Sequence, residues 1–171
     1  MNLPKVNVEV KPSSIAGVGL FAAVSFKPGD KVIVWPEGAG VEMLTFDEYH
    51  RAEPKFKEMV IAFCVGSPEG YYGPENMDFN HLPVSWFLNH SCDGNLGFDE
   101  EGNFIAIKNI AVGQELNYDY ALVESSPTFI LNCCCGSAKC RQQITGFDWQ
   151  NNLASTDHMS PHLKQQLKKY S

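Results

Sequence analysis

The sequence predicts a mainly β protein of one domain, built from short strands and turns with few and short helices. Three observations carry this. Apolar residues recur with period two or in runs of strand length, as in "KVNVEV", "KVIVW", "FIAIKNI" and "ELNYDYAL". Clusters of Gly, Pro, Asn and Asp separate these runs at short intervals. Four of the six cysteines fall within eight positions near the C-terminus, the composition of a segment held by metal rather than by a core.

The elements follow in chain order. In "KVNVEV", Val6, Val8 and Val10 share one face of a half-buried strand. "AGVGLFA" leads to the turn "KPGD" and a second strand, "KVIVW". "TFDEYH" has the capping-box pattern, Thr45 with Glu48 three residues later, so a short helix starts there and ends ahead of Pro54. "MVIAFCV" is an apolar run of strand length, and residues 66–83, rich in Gly, Pro, Asn and Asp, form a long loop. "LGF", the turn "DEEGN" and "FIAIKNI" make a hairpin. In "ELNYDYAL", Leu116, Tyr118 and Tyr120 share a face; Ser160 before Pro161 caps a final helix that carries Lys168 and Lys169 at its cation-favouring end.

The 171 residues suffice for a core without staples, and 44% hydrophobic with 19% charged residues is an ordinary globular composition. No run approaches the roughly 20 apolar residues of a membrane span, and "MNLPKVNVEVKPSS" lacks the apolar centre of a signal peptide. An intracellular location, cytoplasmic or nuclear, is expected. The net charge of −7 and the absence of a basic patch outside "KQQLKK" argue against direct DNA binding and suit a cationic partner, although solubility alone also explains the charge.

In "NCCCGSAKCR", an extended backbone puts Cys133 and Cys135 on one face and Cys134 on the other, and a turn at Gly136 brings Cys140 round to the first pair. A structural zinc ion needs four tetrahedral ligands. Cys64 lies in an apolar run, where a buried inert thiol is expected, which leaves Cys92, after a polar turn, as the fourth ligand. The expected site is Cys92, Cys133, Cys135 and Cys140, with Cys134 a bystander and Lys139 and Arg141 offsetting the thiolate charge; a reduced loop without metal is the alternative that the spacing disfavours.

"GVGLFA" fits the letters of a dinucleotide-binding loop, but that fingerprint opens a helix, and Pro28 and Gly29 follow too soon. What remains is a pair of glycines, Gly17 and Gly19, that let backbone bend and approach something closely. "NHSC" places Asn89, His90 and Ser91 after the apolar "VSWFL". Sequence neighbours rarely face each other as nucleophile and base, and no G-x-S-x-G elbow is present, so hydrolase chemistry is disfavoured.

Taken together and in this order, "GVGLFA", "NHSC", "GQELNYDY" and "CCCGSAKCR" resemble a SET-domain lysine methyltransferase with a post-SET zinc segment, over roughly residues 5–146. The resemblance implies a SET fold of small curled sheets with a pseudoknot-like crossing and a zinc-binding post-SET segment. It divides the chain into a SET domain (1–122), a post-SET segment (123–146) and a tail with a short helix (147–171). It also implies S-adenosylmethionine as cofactor, met by Gly17, Val18, Gly19 and Leu20 through backbone, by Asn89 and His90 at its amino-acid and adenine ends, and by Tyr120 at the methyl-transfer point. The substrate would be a lysine of a protein or peptide, histone tails included. Tyr118 stands where the family has Tyr or Phe; tyrosine there leaves little room for a second methyl, so monomethylation, with some dimethylation, is expected. The alternative is a SET-like, zinc-stabilised interaction module without activity.

This sequence departs from the family pattern in three places. Trp86 stands where a basic or small polar residue is common, no cysteine-rich segment precedes residue 5, and the 66–83 loop is long. Tyr71 and Tyr72 in that loop could line a substrate groove or pack the loop, and Trp149 or Phe147 could close over the adenine.

Overall fold

The computed structural model describes residues 7–33, 40–151 and 156–170. Its strands are short: β1 Val8–Pro12, β2 Val18–Ala22, β3 Lys31–Ile33, β4 Val41–Thr45, β5 Val65–Gly66, β6 Gly70–Pro74, β7 Asn89–His90, β8 Leu96–Phe98, β9 Phe104–Ala106, β10 Glu115–Tyr118, β11 Ile130–Asn132 and β12 Gln143–Thr145. Among the described residues three α-helices, α1 Phe46–Arg51, α2 Pro54–Phe63 and α3 Pro161–Tyr170, and short 3-10 turns join them. The strands form three sheets, ordered β1-β2-β10-β8-β9-β3 (with β7 also on β10), β4-β6-β5 and β11-β12.

The first sheet holds the core. Leu20, Leu96 and Leu116 project from its three central strands and are fully buried, joined by Phe98, Phe104, Trp149, Met159 and Leu163. The C-terminal helix therefore packs on the same core as the central strands. β1 is an edge strand with Val8 half-buried and Val10 exposed, so the expected inward face of "KVNVEV" is weaker than alternation suggests, and Val6 lies outside the described residues. "KVIVW" is strand over Lys31–Ile33, and its last two positions lie outside the described residues.

β10 is the hub. It pairs antiparallel with β2 at Glu115 and Leu116, then parallel with β7 at Asn117 and Tyr118, and Tyr118 also meets Leu96 of β8. The chain from Asn89 to Leu96 thus wraps one end of β10. Its turn is fixed by Ser91 N–H to the Tyr118 carbonyl (3.0 Å) and by the Asn95 amide to the Glu115 carbonyl (2.8 Å). Gly94 is needed here for space, because a Cβ would lie 2.7 Å from the Tyr118 Cα.

Two expectations are corrected. "MVIAF" belongs to α2, with Pro54 at its start; Phe56, Val60 and Phe63 recur at helical spacing, Val60 is buried, and Ile61 is 61% exposed, which a buried strand would not allow. The stretch 66–83 is not all loop. Tyr71 and Tyr72 give it strand character, and β6 pairs Tyr71 with Leu44 and Tyr72 with Met43. The expected capping box, the β8–β9 hairpin and the Ser160 cap of α3 are all present.

Candidate active site and metal centre

β11 and β12 form a hairpin whose loop carries the cysteine run. Gly136, at φ +68°, makes the turn, and the Sγ atoms of Cys92, Cys133, Cys135 and Cys140 lie within 4.8 Å of one another. Backbone N–H groups face the sulfurs: Arg141 to Cys92 at 3.3 Å, Gln142 to Cys140 at 3.4 Å and Cys135 to Cys133 at 3.5 Å. Four converging sulfurs with N–H donors aimed at them fit a tetrahedral thiolate site for zinc. Cys134 points away and is exposed. Cys64 is half-buried, and burial pushes its thiol up to about 12, as expected of an inert residue.

The Arg141 charge favours the Cys92 thiolate as expected, and the charged side chains beside the cluster have further partners. Lys139 pairs with Asp93 at 2.9 Å. The Arg141 guanidinium grips both Asp119 oxygens, at 2.6 and 2.7 Å, and reaches Asp148 at 3.2 Å. Asp119 in turn accepts the Ala121 N–H at 3.0 Å and caps the turn that begins at Tyr120. The cysteine loop is therefore forked onto the tyrosine turn.

Asn89 and His90 occupy β7. The Asn89 amide donates to the Ala16 and Val18 carbonyls (3.2 and 3.0 Å) and to Glu115 Oε1 (3.0 Å), which also accepts from Ser13 at 2.7 Å. Gly17 is left-handed at φ +47°, and a side chain at Gly19 would run into the Glu115 carboxylate and the Asn89 amide. The structure thus brings the Ala16–Gly19 backbone against Asn89, while Leu20 is buried in the core opposite Leu116. Glu115, absent from the sequence reading, is the post between that backbone and Asn89.

His90 is 4% exposed, and burial lowers its imidazole to about 4, with Arg141 adding to this and Asp119 opposing. Its Nδ1 accepts the Tyr120 N–H at 3.1 Å, which leaves the neutral ring's proton on Nε2, 3.3 Å from Cys92 Sγ. Both ring nitrogens are taken by protein groups, so a contact from His90 to a ligand would come from its main chain.

Tyr118 ends β10, and Tyr120 begins the next turn rather than continuing the strand, yet their ring centroids are 5.0 Å apart. The Tyr120 hydroxyl donates to the Leu88 carbonyl at 3.0 Å. Burial raises both phenols, Tyr120 to about 12, so both stay protonated. The pair lines a largely apolar cavity of about 350 Å³ together with Trp86, Leu88, Phe98 and Phe104. Tyr72 lines it too, whereas Tyr71 packs against Phe46 and Tyr49. Trp149 is buried in the core, and Phe147 stands 47% exposed beside the hairpin.

Comparison with known proteins agrees with this geometry. A putative histone-lysine N-methyltransferase 1 from Plasmodium falciparum is 29% identical over 142 residues, which is 77% of this chain and 2% of that protein. The methyltransferase flvH of Aspergillus flavus is 32% identical over 85 residues, 47% of this chain and 48% of that protein. Human histone-lysine N-methyltransferase 2D is 28% identical over 155 residues, 81% of this chain and 2% of that protein. This chain therefore spans about half of flvH and a small fraction of the other two. Residues 17–121 match the SET domain, and this chain belongs to the SET-domain family.

Proposed function

We propose that this chain is a protein-lysine N-methyltransferase that uses S-adenosylmethionine, with Tyr118 and Tyr120 at the reacting amine. The observation that carries this is the tyrosine pair, Tyr118 at the end of β10 and Tyr120 on the turn after it, lining an apolar cavity, while Asn89, paired with β10 itself, holds the Ala16 and Val18 carbonyls. The cofactor, when bound, supplies a methyl carried on a positive sulfur. Gly17, Val18, Gly19 and Leu20 would hold it through backbone, Asn89 and the His90 main chain would border it, and Tyr120 would face the methyl.

The rest of the chemistry belongs to this chain's residues. A lysine with a pKa of about 10.4 cannot attack while protonated. A narrow aromatic wall excludes water and disfavours the ammonium, and alignment then accounts for much of the rate. The Tyr120 hydroxyl hydrogen is committed to Leu88, so its oxygen lone pairs remain to stabilise partial positive charge. Tyr118 narrows the cavity and favours one methyl, with some second-methyl transfer.

The acidic charge suits a basic segment laid in extended form along the cavity, and relatives named for histone lysine methylation make histone tails the first substrates to test. Such work takes place inside the cell, in the nucleus or cytoplasm; among the described residues no helix is long and apolar enough to cross a membrane. On this reading residues 1–122 are the SET domain, 123–146 the post-SET segment and 147–171 the tail. Zinc on Cys92, Cys133, Cys135 and Cys140 clips the post-SET hairpin to the tyrosine turn. S-adenosylmethionine titration of the zinc-loaded chain separates this from an inactive interaction module. Saturable binding is expected, and a folded, metal-loaded chain that does not bind contradicts the proposal.

A further inference from the structure

The cavity wall holds one carboxylate among its described residues, Glu124, and no lysine or arginine. Glu124 is 4% exposed and four residues beyond Tyr120. Its Oε2 accepts the Gly66 N–H at 2.7 Å, its Oε1 accepts the Ser126 N–H at 2.8 Å, and Ser125 N–H returns to the Gly66 carbonyl at 3.0 Å. β5 and the segment after the tyrosine turn are therefore clasped around this one side chain. A side chain at Gly66 would meet Glu124 Oε1 at 2.5 Å, so the glycine is what lets the carboxylate sit there. The clasp fixes the carboxyl's orientation, and even with the Ser125 N–H also close, the carboxylate keeps a lone pair that backbone donors do not use.

An anion buried in an apolar wall with no cation beside it is costly, and a cationic guest relieves the cost. We infer that Glu124 is the group that receives the substrate's ammonium in the cavity and takes its proton. This rests on the lysine methyltransferase reading above. In the step, one N–H bond of the lysine Nζ breaks and its electron pair stays on nitrogen as the attacking lone pair; a carboxylate lone pair forms the new O–H bond. Charge separation is exchanged for two neutral groups, which a dry cavity favours. The proton leaves to solvent after the methylated lysine departs.

The ionisable groups around Glu124 agree with this role. Its charge is felt by the phenols of Tyr118 on β10 and Tyr71 on β6, and His162 of α3 and Cys64 at the end of α2 line the same cavity. Burial raises Glu124 to about 7, against the pull of its N–H donors, which suits a proton acceptor near neutral pH.

The test uses the whole zinc-loaded chain, core histones and labelled S-adenosylmethionine, with kcat/KM followed from about pH 5 to about pH 9. The native chain should lose activity tenfold per pH unit below the Glu124 titration. Glu124→Gln should lose roughly 10²–10⁴-fold at neutral pH and move its acid limb upward, toward the lysine's own pKa. An unchanged rate and profile in folded Glu124→Gln overturns the inference. Binding of Nα-acetyl-lysine amide and its norleucine counterpart to the native chain is measured alongside, because Gln leaves one of the Gly66 and Ser126 N–H donors facing an amide NH₂ and this readout does not depend on the variant folding. Preference for the lysine probe at pH 8 that disappears at pH 6 supports Glu124 even if histones are not methylated, an outcome that would instead count against the methyltransferase reading. Equal binding of the two probes at both pH values overturns the Glu124 role.

Discussion

The Nδ1 atom of His90 accepts the backbone N–H of Tyr120 at 3.1 Å, and its Nε2 faces Cys92 Sγ at 3.3 Å. One buried ring thus spans the tyrosine turn and the cysteine cluster. Its rings also meet edge to face, His90 and Tyr120 centroids being 5.1 Å apart. The position of the tyrosine is thus tied to the cysteine cluster through this side chain as well as through the Arg141–Asp119 pair.

Replacing His90 with Phe keeps much of the volume and strands the Tyr120 N–H. A buried donor without a partner costs about 1–3 kcal/mol, and urea denaturation should show a loss of that order. Activity should fall further than stability, because the turn that aims Tyr120 loses its anchor. A His90→Phe chain as stable and active as the native one contradicts the link.

Metal analysis of the purified chain should find one zinc ion per chain, held by the four sulfurs that converge. Cys135→Ser should lower occupancy sharply, and Cys134→Ser, altering the exposed bystander, should leave it unchanged. Chelation should reduce turnover and cofactor binding before the core unfolds, since the core around Leu20, Leu96 and Leu116 does not depend on the cysteine hairpin.

Tyr118→Phe removes one hydroxyl from a ring otherwise surrounded by Phe98, Phe104 and Tyr120. Mass spectrometry of the product should shift toward di- and trimethyl-lysine. Trimethyl-lysine as the main product of the native chain would contradict the role given to this residue.

Arg141→Lys exchanges a guanidinium bound to both Asp119 oxygens for a single ammonium that cannot make the paired bonds. The Asp119 and Asp148 carboxylates are left short of a partner, and a loss on the order of 1–3 kcal/mol is expected by thermal or urea unfolding. Binding of S-adenosylmethionine should weaken with it, as the hairpin loosens from the tyrosine turn.

Glu124 also makes stability depend on pH. Its folded value is raised from 4.5 to about 7, so the unfolded chain ionises more readily. The contribution is full below about pH 4.5 and is lost as pH rises through 7, a change on the order of 3 kcal/mol at 1.36 kcal/mol per unit. Glu124→Gln should remove that slope from denaturation midpoints measured across this window, and an unaltered slope would contradict the assignment.

How much could be read from the sequence depended on range. The Thr45–Glu48 capping box and the Ser160 cap are satisfied within three residues, so their letters suffice. The cysteine site was legible because strand alternation and a glycine turn fix three sulfurs, and only one plausible partner remained. α2 was misread because an apolar run fits a strand or a helix, and Pro54 reads as a breaker until it is seen to begin one. β6 was hidden by its two glycines and its proline, and its pairing partner β4 lies 25 to 33 positions earlier. Glu115 gave no local signal, Arg141 read only as a charge beside the cysteines, and Glu124 gave none either. They bind Ser13, Asp119 and Gly66 across 102, 22 and 58 positions, contacts that exist only once the chain has closed on itself.

The most direct test is transfer of a labelled methyl group from S-adenosylmethionine to core histones by the zinc-loaded chain, with a whole-cell protein extract as the parallel substrate. Label on lysine, mostly as monomethyl-lysine and abolished by Tyr120→Phe, is the predicted result. A folded chain with its metal in place that neither binds the methyl donor nor labels any protein lysine would contradict the account.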